Sequence, residues 1–144
     1  MCISQVSLKL FYATILFNDE MNKIILHIED NLDNRVLVRR LLNAQGYQVV
    51  EAMDAYEAIS ALRNYSPALI LMDINMPEVD GYTLTSKFKS LPRVKNLPII
   101  ALTANALRGD REKALRAGCD GYIEKPINVD TFLSQVEFFL ADRS

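Results

Sequence analysis

The stretch LILMDINMPEVDG, Leu69–Gly81, decides how this chain is read. Four apolar residues, Leu69–Met72, run straight into Asp73, and Ile74, Asn75, a Met-Pro pair and an Asp-Gly pair follow. A continuous apolar run, rather than an alternating one, marks a strand covered on both faces, as in a parallel sheet. Pro67 precedes the run and the Asp80–Gly81 pair reads as turn chemistry. A strand built for burial has no packing use for a terminal carboxylate, so Asp73 requires a chemical one.

The same pattern repeats outward from this stretch. IILHI (24–28) and IIAL (99–102) are further continuous apolar runs, and YQVVEA (47–52) and GYIE (121–124) read as shorter strands. Helical segments lie between them. In LDNRVLVRRLLNAQG, residues Leu37, Leu41 and Ala44 share a face flanked by Val38 and Leu42, with Gly46 at the stop position. DAYEAISALRNY takes Asp54 as its N-cap. YTLTSKFKSL runs to Pro92, LRGDREKALRAG ends at Gly118, and VDTFLSQVEFFLA aligns Phe132, Val136 and Phe139 on one stripe. Five strands alternating with five helices predict an α/β fold with a doubly wound parallel sheet.

Composition agrees. The 144 residues suit one domain, half of them are hydrophobic, and 24 % are charged. A net charge of −2 offers no basic field for nucleic acid, so no nucleic-acid partner is expected. The two cysteines, Cys2 and Cys119, show neither metal spacing nor a disulfide framework, which points to a reducing, cytoplasmic setting. Val6–Phe17 is apolar but too short to span a bilayer, lacks a clear signal-peptide pattern, and is interrupted by Lys9. No membrane partner is expected. Met21 stands just ahead of the first strand, so residues 1–20 read as an extension, disordered or derived from an upstream start, and residues 21–144 as the domain. Only a few residues follow the last helix, and no second domain is expected.

In doubly wound sheets the chemistry gathers at the carboxyl ends of the strands. After strand one come Glu29 and Asp30, after strand three Asp73 with Asn75 two residues on, after strand four Thr103, and after strand five Lys125 and Pro126. Three carboxylates crowded together repel and call for a cation; an all-oxygen donor set suits Mg²⁺. A metal, an ammonium and a hydroxyl are what a transferring phosphoryl group needs, and a carboxylate can be its acceptor.

HIEDN, LILMDINMPEVDG, IIALTANA and GCDGYIEKP, in this order and at these strand ends, resemble the receiver domain of two-component response regulators, over Lys23 to about Leu140. The resemblance implies a flavodoxin-like fold with strand order 2-1-3-4-5. It implies Asp73 as phosphoacceptor, and Glu29, Asp30, Asp73 and the Asn75 backbone carbonyl as Mg²⁺ ligands. Thr103 and Lys125 would bind the phosphoryl oxygens, Tyr122 would be the aromatic switch, and the Lys125–Pro126 bond would be cis. Asn75 and Asn105 would flank the water that ends the signal. The implied partners are a sensor histidine kinase or histidine phosphotransferase and a downstream protein target, which would bind around Leu107, Arg108, Arg111 and Tyr122. The acidic pair is Glu-Asp rather than Asp-Asp, a common variant. The chain is most similar to stand-alone receivers of phosphorelays and cell-division control.

Other readings are weaker. A phosphatase with an aspartyl nucleophile wants a second carboxylate two residues on; Asn75 occupies that position, so no enzyme is expected. A receiver-like module that binds partners without phosphorylation should lack one of Asp30, Asp73, Thr103 and Lys125, yet all are present. His27, the lone histidine, lies within an apolar strand and reads as a packed, hydrogen-bonded core residue.

Overall fold

The computed structural model describes residues 23–76 and 80–141. The expectations for residues 1–20 lie outside that range. Strands β1 (Ile24–Ile28), β2 (Gln48–Ala52), β3 (Leu69–Asp73), β4 (Ile99–Thr103) and β5 (Gly121–Glu124) form one parallel sheet in the order β2-β1-β3-β4-β5. Helices α1 (Leu32–Asn43), α2 (Ala55–Asn64), α3 (Gly81–Ser90), α4 (Asp110–Ala117) and α5 (Phe132–Ala141) connect and cover it. The α/β fold and the strand order are those expected.

Parity along the central strands assigns the two faces, because successive side chains point to opposite sides. Leu26, Ile28, Ile70, Met72, Ile99 and Ala101 pack against buried residues of α2, α3 and α4. Ile25, Leu69, Leu71, Ile100, Leu102 and Ile123 pack against α1 and α5. Every residue of β3 and β4 is buried, which is why both read as unbroken apolar runs.

Several local expectations require correction. The buried stripe of α1 is centred on Val38 and Leu42, while Ala44 is exposed; apolar residues spaced along the helix had drawn the predicted face too far round it. The segment from Leu107 to Gly118 is not one helix. A 3₁₀ turn, Ala106–Arg108, breaks at Gly109 with φ 93°, and α4 starts afterwards. The Asp80–Gly81 pair is a helix start rather than a free turn: Asp80 caps α3, accepting from the Tyr82 N–H at 3.0 Å and the Thr83 hydroxyl at 2.7 Å. Gly81 is required by close approach, since a Cβ there would lie 2.8 Å from the Ile74 Cα. Finally, β3 and β4 extend to include Asp73 and Thr103, so both are held within the sheet ladder.

Helix α5 is anchored by Phe132 and Val136, both fully buried beneath the β4 and β5 side chains. Replacing Phe132 by alanine should therefore cost about 3–5 kcal/mol, from lost burial and the cavity left behind. Urea unfolding of wild type and Phe132→Ala measures this as a lowered midpoint with little change in slope.

Candidate functional site

The carboxyl edge of the sheet brings the acidic residues together. Glu29 directly follows β1 and is fully buried, Asp30 is exposed, and Asp73 closes β3 with 3 % exposure. One carboxylate oxygen from each lies within 4.8 Å of the others. Asn31 caps α1 by accepting from the Asn34 N–H at 2.9 Å, so capping falls to Asn31 and leaves Glu29 and Asp30 free for the site. Arg35, one turn into α1, donates to the Glu29 carbonyl at 3.1 Å and the Asp30 carbonyl at 2.8 Å. The first turn of α1 thus fixes the acidic loop. Sequence reasoning missed Arg35; its signal is a basic residue five and six positions after the pair.

Lys125 reaches the same point from the loop after β5. Its Nζ lies 2.9 Å from Asp73 Oδ1 and 3.4 Å from Glu29 Oε1. The Lys125–Pro126 peptide bond is cis, as expected. The Asn75 N–H also donates to Asp73 Oδ1, at 2.9 Å. The Asn75 side chain turns toward β4, where its Oδ1 accepts from the Ala104 N–H at 3.1 Å. Among the described residues neither buried Glu29 carboxyl oxygen has a hydrogen-bond partner, and the Lys125 ammonium stands 3.4 Å from Oε1 without a hydrogen bond. Orphaned buried oxygens are costly and need explanation. Together with a second and a third carboxylate they form a hard-oxygen donor set that fits a divalent ion such as Mg²⁺.

The two buried carboxyls titrate as a pair. Burial first, and then the adjacent Asp73, push the Glu29 pKa well above the usual carboxylate range. Burial also pushes Asp73 upward, but the neighbouring Glu29 carboxyl, the Asn75 N–H and the Lys125 ammonium outweigh it, and its pKa falls below the ordinary value. The metal-free site thus keeps Asp73 ionised and retains a proton on Glu29. A group whose pKa rises on folding stabilises the fold at low pH and loses that contribution as pH climbs through its folded value. Metal-free protein should therefore soften as pH rises above the usual carboxylate range. A divalent ion held by Glu29, Asp30 and Asp73 would have to displace the Glu29 proton, so its binding would strengthen over the same interval and release protons. Calorimetric Mg²⁺ titrations in two buffers of different ionisation enthalpy, at weakly acidic and neutral pH, measure both effects.

Thr103, fully buried, ends β4 next to this cluster in the sheet. Its hydroxyl donates to Asp110 Oδ2 at 3.0 Å and accepts from the Asn105 N–H at 3.0 Å. It does not cap α4, whose N-terminal cap is Gly109. Asn105 is exposed, at the start of the 3₁₀ turn. Tyr122 is half-buried on β5 against the α2–α4 face of the core, with the Arg111 guanidinium 5.3 Å from its ring centroid. Leu107 is almost wholly exposed. Of the expected partner face, the Arg108 side chain lies outside the described atoms.

His27 needs a correction. It is fully buried, as expected, but neither ring nitrogen has a hydrogen-bond partner among the described residues. The β1 backbone takes up the ladder bonds, and residues opposite it on β3 are apolar. Burial drives its pKa down to about 3, so the imidazole is neutral at physiological pH and, sealed in the core, is unsuited to carry a phosphoryl group.

No helix among the described residues is long and apolar enough to cross a membrane. A family model, the response regulator receiver domain, matches residues 25–137. The polar-differentiation response regulator DivK of Brucella ovis is 39 % identical over 122 residues, covering 85 % of this chain and 99 % of that protein. Solved structures agree. The receiver domain of a sensor histidine kinase from Pseudomonas aeruginosa PAO1, with a magnesium ion coordinated in its active-site cleft, is 34 % identical. It covers 83 % of this chain and 98 % of its own, with a TM-score of 0.76. Chemotaxis response regulator CheY4 of Vibrio cholerae is 25 % identical with a TM-score of 0.77, over 82 % of this chain and 98 % of its own. With the sheet order, the buried aspartate at the end of β3 and the lysine beside it, these matches settle the family: the chain belongs to the response regulator receiver domains.

Proposed function

We propose that this receiver accepts a phosphoryl group on Asp73 from the phosphohistidine of a sensor histidine kinase or histidine phosphotransferase, and signals through phosphorylation-dependent protein–protein interaction. One observation carries the reading. Asp73 is ionised, nearly buried, and held through Oδ1 by both Lys125 and the Asn75 N–H, which leaves Oδ2 as the oxygen open to a donor. Attack by Oδ2 on phosphorus forms an acyl phosphate; the P–N bond breaks and its electron pair returns to the donor imidazole. Lys125 pairs with the incoming oxygens, and Thr103 supplies a hydroxyl to them. Glu29, Asp30, Asp73 and the Asn75 carbonyl would hold Mg²⁺, which when bound offsets the negative charge of the phosphoryl oxygens.

The magnesium ion in the kinase receiver from Pseudomonas aeruginosa supports that metal here. Leu32, Met53 and Tyr56 stand exposed at the same edge of the sheet as the acidic pair, an apolar rim suited to a donor helix. Asn75 and Asn105 would set the lifetime of the acyl phosphate, and Asn75 in place of a second carboxylate argues against a turnover enzyme. Similarity to a polar-differentiation regulator supports a place in cell-division control, in the cytoplasm. Output would leave through Tyr122, which Arg111 holds at the β5 surface.

The test is incubation with a small acyl-phosphate donor and Mg²⁺, followed by intact mass. Gain of one phosphoryl group supports the reading. No gain supports the second reading, a receiver-like module that binds partners without phosphorylation.

A further inference from the structure

Asp110, the first residue of α4, gathers hydrogen bonds from two other elements. Thr103 Oγ1 on β4 donates to Oδ2 at 3.0 Å, and the Tyr82 hydroxyl on α3 donates to Oδ1 at 2.9 Å. Burial alone would raise its pKa, but the bonds from Tyr82 and Thr103 outweigh burial and keep the carboxylate charged. A bond to a charged acceptor is stronger than one between neutral groups. Thr103 has a single hydroxyl proton. In the resting structure that proton is committed to Asp110, so it cannot at the same time be offered to phosphoryl oxygens on Asp73. The two acceptors compete for one donor.

From this geometry we propose that Asp110 is a positioning residue: it holds the Thr103 hydroxyl away from Asp73, and phosphoryl uptake must break that bond. The proposal rests on the phosphoacceptor reading above. Tyr82 keeps its own bond to Asp110 when Thr103 leaves, so the carboxylate stays anchored between α3 and α4 and remains able to recapture Thr103 on dephosphorylation. Asp110 thereby biases the equilibrium between two arrangements without touching the phosphoryl group.

The probe is fluoroberyllate with Mg²⁺, a mimic of the acyl phosphate, titrated calorimetrically. Losing a competing bond to a charged group should make Asp110→Ala bind the probe roughly tenfold more tightly than wild type. Asp110→Asn, which keeps the side-chain size and a weaker neutral acceptor, should tighten binding less, and it carries the test should the alanine variant not fold. In a Thr103→Val background, where there is no hydroxyl to release, Asp110→Ala should leave the affinity unchanged. Unchanged or weaker binding in the Asp110 variants overturns the proposal. So does equal tightening in the Thr103→Val background, which would mean that Asp110 acts by charge repulsion alone. If wild type itself does not bind fluoroberyllate, the phosphoacceptor reading fails and this inference with it; if wild type binds and the Asp110 variants match it, only the inference fails.

Discussion

Asp73→Asn should take up no phosphoryl group from either a small acyl phosphate or a phosphohistidine donor, while folding as wild type does. The substitution keeps side-chain volume in a position that is 3 % exposed, so the end of β3 need not repack. It removes the anionic nucleophile on which transfer depends, and an amide nitrogen or oxygen does not replace it at neutral pH. It also replaces a charge that Lys125 neutralises at 2.9 Å. With the Asp73 charge gone, Glu29 ionises more readily and can pair with Lys125 3.4 Å away, so the loss of stability should stay modest. Circular dichroism and thermal unfolding verify the fold, and intact mass after exposure to donor and Mg²⁺ verifies the loss. Labelling of the asparagine variant at the wild-type level would move the acceptor elsewhere.

The second large effect belongs to Asp30. It is the exposed member of the acidic trio, and its backbone is fixed independently of its side chain by Arg35. Asp30→Ala should therefore leave the loop in place and take away one metal ligand and one charge. Mg²⁺ raises the melting temperature of wild type by mass action if it binds the folded state alone. That rise should vanish in the variant, and the rate of phosphoryl uptake should drop by about 10²–10³-fold, the scale of losing one electrostatic stabiliser. Thermal shift with and without Mg²⁺, alongside a labelling time course, separates the two readouts. Full uptake by Asp30→Ala, or by wild type in excess chelator, would remove the metal from the mechanism.

What the chain declared and what it concealed divide along one physical line. The central strands were legible because burial on both faces leaves unbroken apolar runs, as in Ile70–Met72 and Ile99–Leu102. The candidate site residues at their ends stood out because each breaks such a run with a group that packing cannot use: Asp73, Thr103 and the Glu29–Asp30 pair. Side-chain partnerships across the fold were not. That Thr103 turns to Asp110 rather than capping the next helix depends on where α4 begins, and the glycine-broken turn at Gly109 sets that start. Arg35 is one of three arginines on α1, and only the fold shows that it reaches back to the Glu29 and Asp30 carbonyls. The buried stripe of α1 was misplaced because leucines spaced along most of the helix allow more than one apolar face. His27 was placed correctly in the core, but its lack of a partner depends on neighbours from β2 and β3 that no local pattern specifies.

The most direct test follows one phosphoryl group from donor to acceptor. A histidine phosphotransfer domain, phosphorylated on its histidine, is mixed with the wild-type chain and Mg²⁺. The product is then reduced with borohydride, which converts an aspartyl phosphate to homoserine, and digested for peptide mass spectrometry. Homoserine is expected at position 73, with the donor histidine dephosphorylated and no transfer when Mg²⁺ is chelated. A phosphoryl group that stays on the donor, or homoserine at position 30 with residue 73 intact, would contradict Asp73 as the acceptor.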